Sequence, residues 1–326
     1  MFADEFRNSQ VPAGDTRPFR LLLVGSDPRV QRALSVLWRE HDVIACADPA
    51  AAVALATSRD VDAIVCDQRV PPALGIDLLV EMRQAHPRAL RILAVDRPDA
   101  RLLIDAVNEA EVFRVLAQPW DLAMARESAL AAARAARQSP QFGGSALSAD
   151  DAERVRRQTA VVVVDNDSVD QQRLRDLLQT AYKMHFASTL ERALQFMEQH
   201  ETGCVVCSTA AGRGELIAGL KVLKQAHPHI ATVVWDAMHD LDRVVELINE
   251  AQVFRLMRRP FSAALCRPYV DAALARHWFI KQQPQSAWRV LPPESAPARS
   301  RVQLPAALLN RIRGLPGRLH EAELTR

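Results

Sequence analysis

The chain has 326 residues, with 41 Lys and Arg against 39 Asp and Glu and a formal net charge of +2. That length exceeds what one hydrophobic core supports and suits two domains of about 125 residues plus tails. The near-even charge gives no footprint for wholesale nucleic-acid binding, and no run of 18 apolar residues is present to span a bilayer. Residues 1–18 are polar, acidic early and without an apolar core, so they read as a disordered leader rather than a secretory signal. Leu21–Val24 is a short continuous apolar run, the pattern of a strand buried on both faces. Similar runs follow at Val43–Ala47, Ala63–Cys66, Ile92–Val95 and Val112–Leu116. Helical periods lie between them, at Arg29–Glu40, Pro49–Ser58, Leu74–Ala85, Ala100–Ala110 and Leu122–Arg137.

Residues 138–158 hold the Gly, Ser and Pro of a linker, including Gly143-Gly144, and their second half is compatible with a helix. The alternation then restarts, with strands predicted at Ala160–Val164, Met184–Ala187, Cys204–Cys207, Thr232–Trp235 and Val253–Met257. Ser262–Gln282 closes the second unit as a long helix. Strands alternating with helices imply a doubly wound α/β fold, here two (βα)5 units (19–137 and 159–282) with parallel five-stranded sheets. Residues 283–326 form a basic, Pro-containing tail with six prolines and seven Arg against three Glu. They read as solvated and flexible, although Pro305–Arg313 has the spacing of a short amphipathic helix. Five cysteines, an odd number mostly beside apolar runs, suit buried thiols in a reducing compartment, so a cytoplasmic location is expected.

Two segments 141 residues apart are nearly the same: VNEAEVFRVLAQPW at Val107–Trp120 and INEAQVFRLMRRPF at Ile248–Phe261. Half of the fourteen positions are identical. Gln84-Ala85-His86-Pro87 recurs at the same spacing as Gln225-Ala226-His227-Pro228. A period of this length is that of a whole small domain, so the chain contains one domain twice.

In a doubly wound sheet, ligands bind beyond the carboxyl ends of the strands. There the segment Asp67-Gln68-Arg69-Val70-Pro71-Pro72-Ala73-Leu74-Gly75 resembles the phosphoacceptor signature of response-regulator receiver domains: an Asp, a Pro four places on and a Gly eight places on. The repeated segment is similar to the fourth-helix-to-fifth-strand region of receivers joined to HD-GYP phosphodiesterases or sensor kinases. The resemblance implies a flavodoxin-like fold in both units and a phospho-accepting Asp67. It also implies Mg²⁺ on acidic residues after the first strand, a Thr or Ser after the fourth strand and a Lys after the fifth.

Both copies depart from that pattern. In the first, the acidic pair falls on Gly25 and Ser26 with Asp27 one place late, the Thr position on Val95 and the Lys position on Gln118. Mg²⁺ is therefore expected to bind weakly at best, with Asp27 as its second carboxylate, and no other cofactor is implied. In the second copy Asp165 and Asn166 hold the acidic positions, but the acceptor is Ser208, the Thr position Asp236 and the Lys position Arg259. A serine without a base is a poor nucleophile. Arg259 paired with Asp165 or Asp236 would make a closed internal salt bridge.

The expectation is a non-enzymatic signalling adaptor or response regulator built from two degenerate receiver domains, acting through protein–protein contact in a two-component-type pathway. No catalytic residue is assigned. Its expected surface is the repeated segment, carried by Asn108, Phe113, Arg114 and Trp120 and by Asn249, Phe254, Arg255 and Phe261. Expected partners are a sensor histidine kinase, another signalling protein or a second copy through the same surface; nucleic acid is not among them. The alternative is an atypical phospho-accepting regulator that uses Asp67, with the second unit as its output or dimerisation module. Cys204 and Cys207, three apart on a buried strand, read as structural, and His86 and His227, before prolines at helix ends, read as surface turns rather than catalytic groups.

Overall fold

The computed structural model describes residues 17–25, 27–119, 122–139, 147–211, 214–259, 262–291, 304–317 and 319. The first unit runs β1 (Arg20–Val24), α1 (Pro28–Leu34), β2 (Asp42–Cys46), α2 (Pro49–Ser58) and β3 (Ala63–Asp67). A small hairpin follows, β4 (Arg69–Val70) with β5 (Ala73–Leu74), and then α3 (Gly75–Ala85), β6 (Leu90–Val95), α4 (Ala100–Asn108), β7 (Arg114–Ala117) and α5 (Leu122–Gln138). Its sheet has the order β2-β1-β3-β6-β7 with every neighbour parallel. The predicted helix over Arg29–Glu40 is shorter than the periodicity suggests: it tightens after Leu34 into a 3-10 turn at Ser35–Arg39. That turn delivers Asp42, whose N–H donates to Phe19 O at 2.8 Å, into the sheet.

The second unit runs α6 (Ala149–Gln158), β8 (Ala160–Val164), α7 (Ser168–Leu178), β9 (Lys183–Ala187), α8 (Leu190–Gln199) and β10 (Thr202–Ser208). It continues through α9 (Glu215–Ala226), β11 (Ala231–Asp236), α10 (Leu241–Glu250), β12 (Arg255–Arg258) and α11 (Ala263–Gln282). Its order, β9-β8-β10-β11-β12, repeats that of the first sheet. The apolar runs LLLV, AIVC and VVVV form central strands because helices cover both faces; β3 and β8 are buried at every position. Polar residues before the helices start them: Asp48, Asp99, Thr189 and Asp240 each accept a backbone N–H three residues on.

The second half of the linker forms α6, which buries Val155 in the second core and pairs Arg156 with Asp271 of α11 at 2.8 and 3.0 Å. Gly143 and Gly144 lie outside the described residues.

The tail differs most from its reading as a solvated segment. A 3-10 turn at Pro284–Val290 tucks Ala287 and Val290 beneath α11, and α12 (Ala306–Arg313) lies across α8 and α9. Leu304, Leu308, Ile312 and Leu315 are buried in the second unit. The cause is the four-residue spacing of Leu308 and Ile312, which puts both on one side of the helix. Arg311, which contributed to the basic count, pairs with Glu198 at 2.7 Å. His227 is fully buried under this helix, its Nε2 2.8 Å from Ile312 O, and is not in a surface turn. His86, by contrast, is only half-buried, with Nε2 3.1 Å from Val61 O.

The two units meet through the repeated segments. The side-chain amide of Asn108, the last residue of α4, donates to Leu256 O at 2.8 Å and accepts from Leu256 N at 2.9 Å. Asn249, near the end of α10, does the same to Val115, accepting from its N–H and donating to its C=O, each at 2.8 Å. β7 and β12 are the edge strands of their sheets. An edge strand leaves a row of backbone groups unpaired, and an asparagine amide has the donor and acceptor of a peptide on one plane. Each unit thus closes the other's edge.

Candidate functional site

Asp67 ends β3 and is 7% exposed. Its Oδ2 accepts the backbone N–H of Asp27 at 2.9 Å, while Oδ1 is buried with no hydrogen-bond partner. Burial pushes the carboxyl up to about 6; the Asp27 charge adds to this, and the Asp27 N–H and the Arg29 charge oppose it. Two glycines make the space. Gly25 has φ +126°, and a Cβ there would stand 2.1 Å from Asp67 Oδ2. A Cβ on Gly75 would meet Asp67 O at 1.8 Å. The position where the resemblance asks for a carboxylate is therefore the space into which the Asp67 carboxylate itself leans.

The rest of the first pocket is organised by Arg29, a residue the sequence reading did not single out. Both Asp27 oxygens accept from its guanidinium, at 2.9 to 3.3 Å. Arg29 Nη1 donates to Gln118 Oε1 at 3.0 Å, and Nη2 lies 3.8 Å from Asp96 Oδ1. The Arg29 hydrogen bond holds the Asp27 carboxyl below its usual range. Val95 is buried at the end of β6 and offers no polar group. Ser26 lies outside the described residues. Because Asp27 already shares both oxygens with the Arg29 guanidinium, and Gly25 brings no side-chain oxygen, this donor set does not fit Mg²⁺. Among the described residues, no group of three or more His, Cys, Asp or Glu is arranged to hold a metal.

In the second unit the same end of the sheet is closed. Asp165 is fully buried; its Oδ1 accepts from Asp167 N at 2.9 Å. Its Oδ2 accepts from Trp235 Nε1 at 3.0 Å and from Arg259 Nη2 at 3.2 Å. Arg259 also reaches Asp170 Oδ2 at 2.7 Å. Burial raises the Asp165 carboxyl despite these partners. Asn166 points to solvent, and Ser208 is buried, its hydroxyl accepting from Ala210 N at 3.3 Å. The side chain of Asp236 lies outside the described part. Trp235 was visible in the sequence only as a strand residue. Its indole, facing inward beside Asp165, supplies the neutral donor of the site.

The repeated segment splits between contact and core. Asn108, Asn249 and Arg255 cross the junction, the last reaching Glu111 Oε1 at 2.9 Å. Gln252 Nε2 donates to Phe113 O at 3.0 Å, and Asn108 also donates to Tyr269 Oη at 3.0 Å. Phe113 and Phe254 are buried; Phe254 carries the guanidiniums of Arg255 and Arg276, 3.9 and 4.6 Å from its ring centre. Arg114 turns into its own unit and bonds Ser128 Oγ at 3.0 Å. Trp120 and Phe261 lie outside the described residues. Cys204 and Cys207 are buried free thiols, pushed well above the usual thiol range by burial.

No family model matches the chain. Over 101 residues it is 34% identical to the hydrogenase transcriptional regulatory protein HoxA of Cupriavidus necator, and 31% identical to that of Bradyrhizobium diazoefficiens. Each alignment covers 31% of this chain and 21% of the relative's length. Among solved structures, the signal receiver domain of an HD domain-containing protein from Pseudomonas fluorescens Pf-5 is 24% identical, with TM-score 0.35, over 37% of this chain and 98% of that one. A putative two-component system response regulator/GGDEF domain protein spans 78% of this chain and 98% of its own, at 15% identity and TM-score 0.33. No helix among the described residues is long and apolar enough to cross a membrane. The parallel order in which the second strand precedes the first, third, fourth and fifth is the flavodoxin-like arrangement. Found twice, it makes this chain a tandem of two flavodoxin-like (βα)5 domains.

Proposed function

We propose that this chain is a non-enzymatic, cytoplasmic signalling adaptor of the response-regulator type, in which two degenerate receiver domains act through protein–protein contact. The observation that carries the reading is the internal neutralisation of both pockets. Arg29 binds Asp27 where a metal would be needed, and Arg259 with Trp235 satisfies Asp165 where a second acidic site would open. Among the described residues, Arg29 and Arg259, the cations bonded in these pockets, are already paired with carboxylates, so a phosphoryl group would have to compete for them. The reciprocal asparagine contacts support the same reading, because the face a receiver offers to a second copy is here turned toward its own neighbour. A partner, whether a sensor kinase or another signalling protein, then meets the remaining surfaces of a preassembled pair.

The test is incubation of the full chain with acetyl phosphate and Mg²⁺, followed by intact-mass measurement and acid-labile phosphate assay. The expected result is no acyl phosphate at Asp67. Stoichiometric labelling that vanishes in Asp67→Asn overturns the proposal.

One observation favours a second reading, that of an atypical phospho-acceptor. Asp67 Oδ1 is buried and makes no hydrogen bond, and Arg29 is close enough to influence its charge. In that version the guanidinium would take the role of the family's lysine, and labelling would depend on Arg29.

A further inference from the structure

Three histidines of the second unit lie under the tail. His227 and His229 belong to the loop between α9 and β11, and His277 belongs to α11; all three are buried. Their rings meet in series, with centroids 5.7 Å apart for His227 and His229 and 5.3 Å apart for His229 and His277. The outer two have partners. His227 Nε2 lies 2.8 Å from Ile312 O of α12, and His277 Nδ1 lies 3.2 Å from His229 O. His277 also turns Nε2 toward Glu201 Oε1 at 3.6 Å, a carboxylate able to receive its charge. His229, in the middle, is different: its Nδ1 is buried and makes no hydrogen bond. Its Nε2 lies against the turn after α12, where a Cβ added to Gly317 would stand 4.0 Å away. Two of the rings point nitrogens at carbonyls, and among the described residues the trio does not converge on a metal.

The charged groups around His229 are mostly positive. α9 contributes Lys224, whose Nζ donates to Ile230 O at 2.8 Å and which burial pushes down to about 7. α11 contributes His277 and Lys281, with Arg276 acting on Lys224. The turn before β10 contributes Glu201, which His277 and Lys281 share and hold down to about 2. The tail contributes Arg311, paired with Glu198 of α8 at 2.7 Å, and the exposed Arg313. Burial, and then the charges of His277, His227, Lys281 and Lys224, hold the His229 imidazole well below its usual 6.5. The cluster is particular to the unit that carries the tail. At the 141-residue offset, His229 corresponds to Arg88 and His277 to Ala136, and His86, opposite His227, is only half-buried.

We infer that α12 and the turn after it form an acid-released latch: a proton taken up by His229 expels the tail and bares the apolar groove between α8 and α9. With the tail closed, His229 stays neutral through mildly acidic pH, because a buried imidazolium among cationic neighbours is costly. With the tail open, the ring meets water and titrates near its ordinary value of about 6.5. Below that value the open form holds a proton that the closed form lacks. Acid therefore favours opening, by about tenfold between about pH 7.5 and 5.5 for one histidine. Glu198 and Glu201, both held below the usual carboxylate range, stay charged across this window, so Arg311 and Lys281 keep their partners. Lys224 gains its charge near the top of the window and adds to the repulsion. Asp67 lies in the other domain, and its contribution to stability runs in the opposite direction with pH.

The full chain is followed by hydrogen exchange at about pH 7.5 and 5.5, with rates expressed as protection factors so that the pH dependence of the exchange chemistry cancels. Protection in α12 and in the facing turns of α8 and α9 should fall about tenfold at the lower value, while β8 and β10 keep theirs. His229→Gln, neutral at both values, should be protected equally at both. His229→Asn serves if that variant does not fold. Histidine ring NMR of the parent needs no substitution: the His229 ring should stay neutral for as long as α12 is protected. Equal protection of α12 at the two pH values in the parent overturns the inference. So does a loss that persists unchanged in a folded His229 variant, a loss spread evenly through the second domain, or a His229 ring that gains its proton while α12 stays protected.

Discussion

Asn108 and Asn249, separated by 141 residues, hold the edge strands of each other's domains with the same pair of hydrogen bonds, 2.8 and 2.9 Å in one case and 2.8 Å twice in the other. Replacing either by Ala strands one N–H and one C=O on the outer side of an edge strand, where no further strand pairs with it. An unsatisfied pair of this kind costs about 1–3 kcal/mol. Asn108→Ala and Asn249→Ala should each lower stability by that amount in urea titration, and small-angle scattering of the double variant should show the domains parting. A double variant as stable and compact as the parent would remove the asparagine clamp as the basis of domain docking.

Asp67 gives a pH-dependent prediction. Its folded-state carboxyl is raised to about 6 from an ordinary 3.8, chiefly by burial. Below pH 4 both folded and unfolded chains hold the proton, so nothing is lost. Between pH 4 and 6 the folded chain keeps a proton that the unfolded chain releases, so this group's contribution to stability falls as pH rises. The change is at most about 3 kcal/mol, at 1.36 kcal/mol per pH unit of displacement. Asp67→Asn removes the effect. It should be more stable than the parent at pH 7.5 and indistinguishable from it near pH 4, by urea unfolding at the two values. An equal difference at both pH values would show that Asp67 does not titrate as its burial requires.

Glu111 carries the opposite sign. Burial works against its ionisation, yet Arg276, Arg255, Arg83 and Arg91 hold its carboxyl down to about 2 from an ordinary 4.5. Its stabilisation is complete above pH 4.5 and drains away as pH falls toward 2. With a quarter of the side chain exposed, solvent screening reduces the full value, and about 1–3 kcal/mol is expected. Glu111→Gln should destabilise the chain at pH 7, and the deficit should shrink on acidification to pH 3. A deficit that is constant with pH would mean the loss comes from packing rather than charge.

The residues differ in how far the sequence could reveal them. Asp67, Gly75 and the substitutions at Gln118, Ser208 and Arg259 are readable because they sit at fixed offsets from strand ends, and strand ends are legible from apolar runs. The Arg259–Asp165 bridge is nearly readable, since both residues occupy such offsets. Arg29 and Trp235 are not. Arg29 acts by folding back two residues onto Asp27 and across to Gln118, which depends on side-chain direction rather than spacing. The repeat marked Asn108 and Asn249 as a surface, but their partners are backbone groups of the opposite copy, and the sequence carries no register between the two units. Net charge counted Arg311 and Arg289 as a basic tail, although both are committed to contacts within the chain.

The closed second pocket can be opened by a single change. Arg259→Gln removes the cation from Asp165, which is fully buried, and from Asp170. Breaking a buried pair by removing one partner costs about 3–5 kcal/mol, because the remaining charge stays desolvated. Trp235 and the Asp167 N–H still contact Asp165, so the lower end of that range is expected in chemical denaturation. Adding Asp165→Asn in the same chain should recover part of the loss, since the desolvated charge is gone and the amide oxygen still accepts the indole hydrogen, while its NH2 is left facing the Asp167 N–H. Failure of this rescue would locate the cost at Asp170 instead.

The tail yields the last test. Leu308 and Ile312 lie one turn apart on α12 and are 6% and 1% exposed, and the helix seats His227 against Ile312 O. Ile312→Ala leaves a cavity between α8, α9 and α12 and should cost about 2–5 kcal/mol. Truncation after Leu291 removes Leu304, Leu308, Ile312 and Leu315 together and exposes the apolar face of α9 beneath them. Hydrogen exchange on the truncated chain should then show lost protection in α8 and α9, with β1 to β3 of the first domain unchanged. If instead the tail were a solvated appendage, truncation would leave exchange in α9 and the unfolding midpoint of the second domain where they were. Burial of the His227 imidazole argues against that outcome, because without α12 its ring loses its cover and the Ile312 carbonyl.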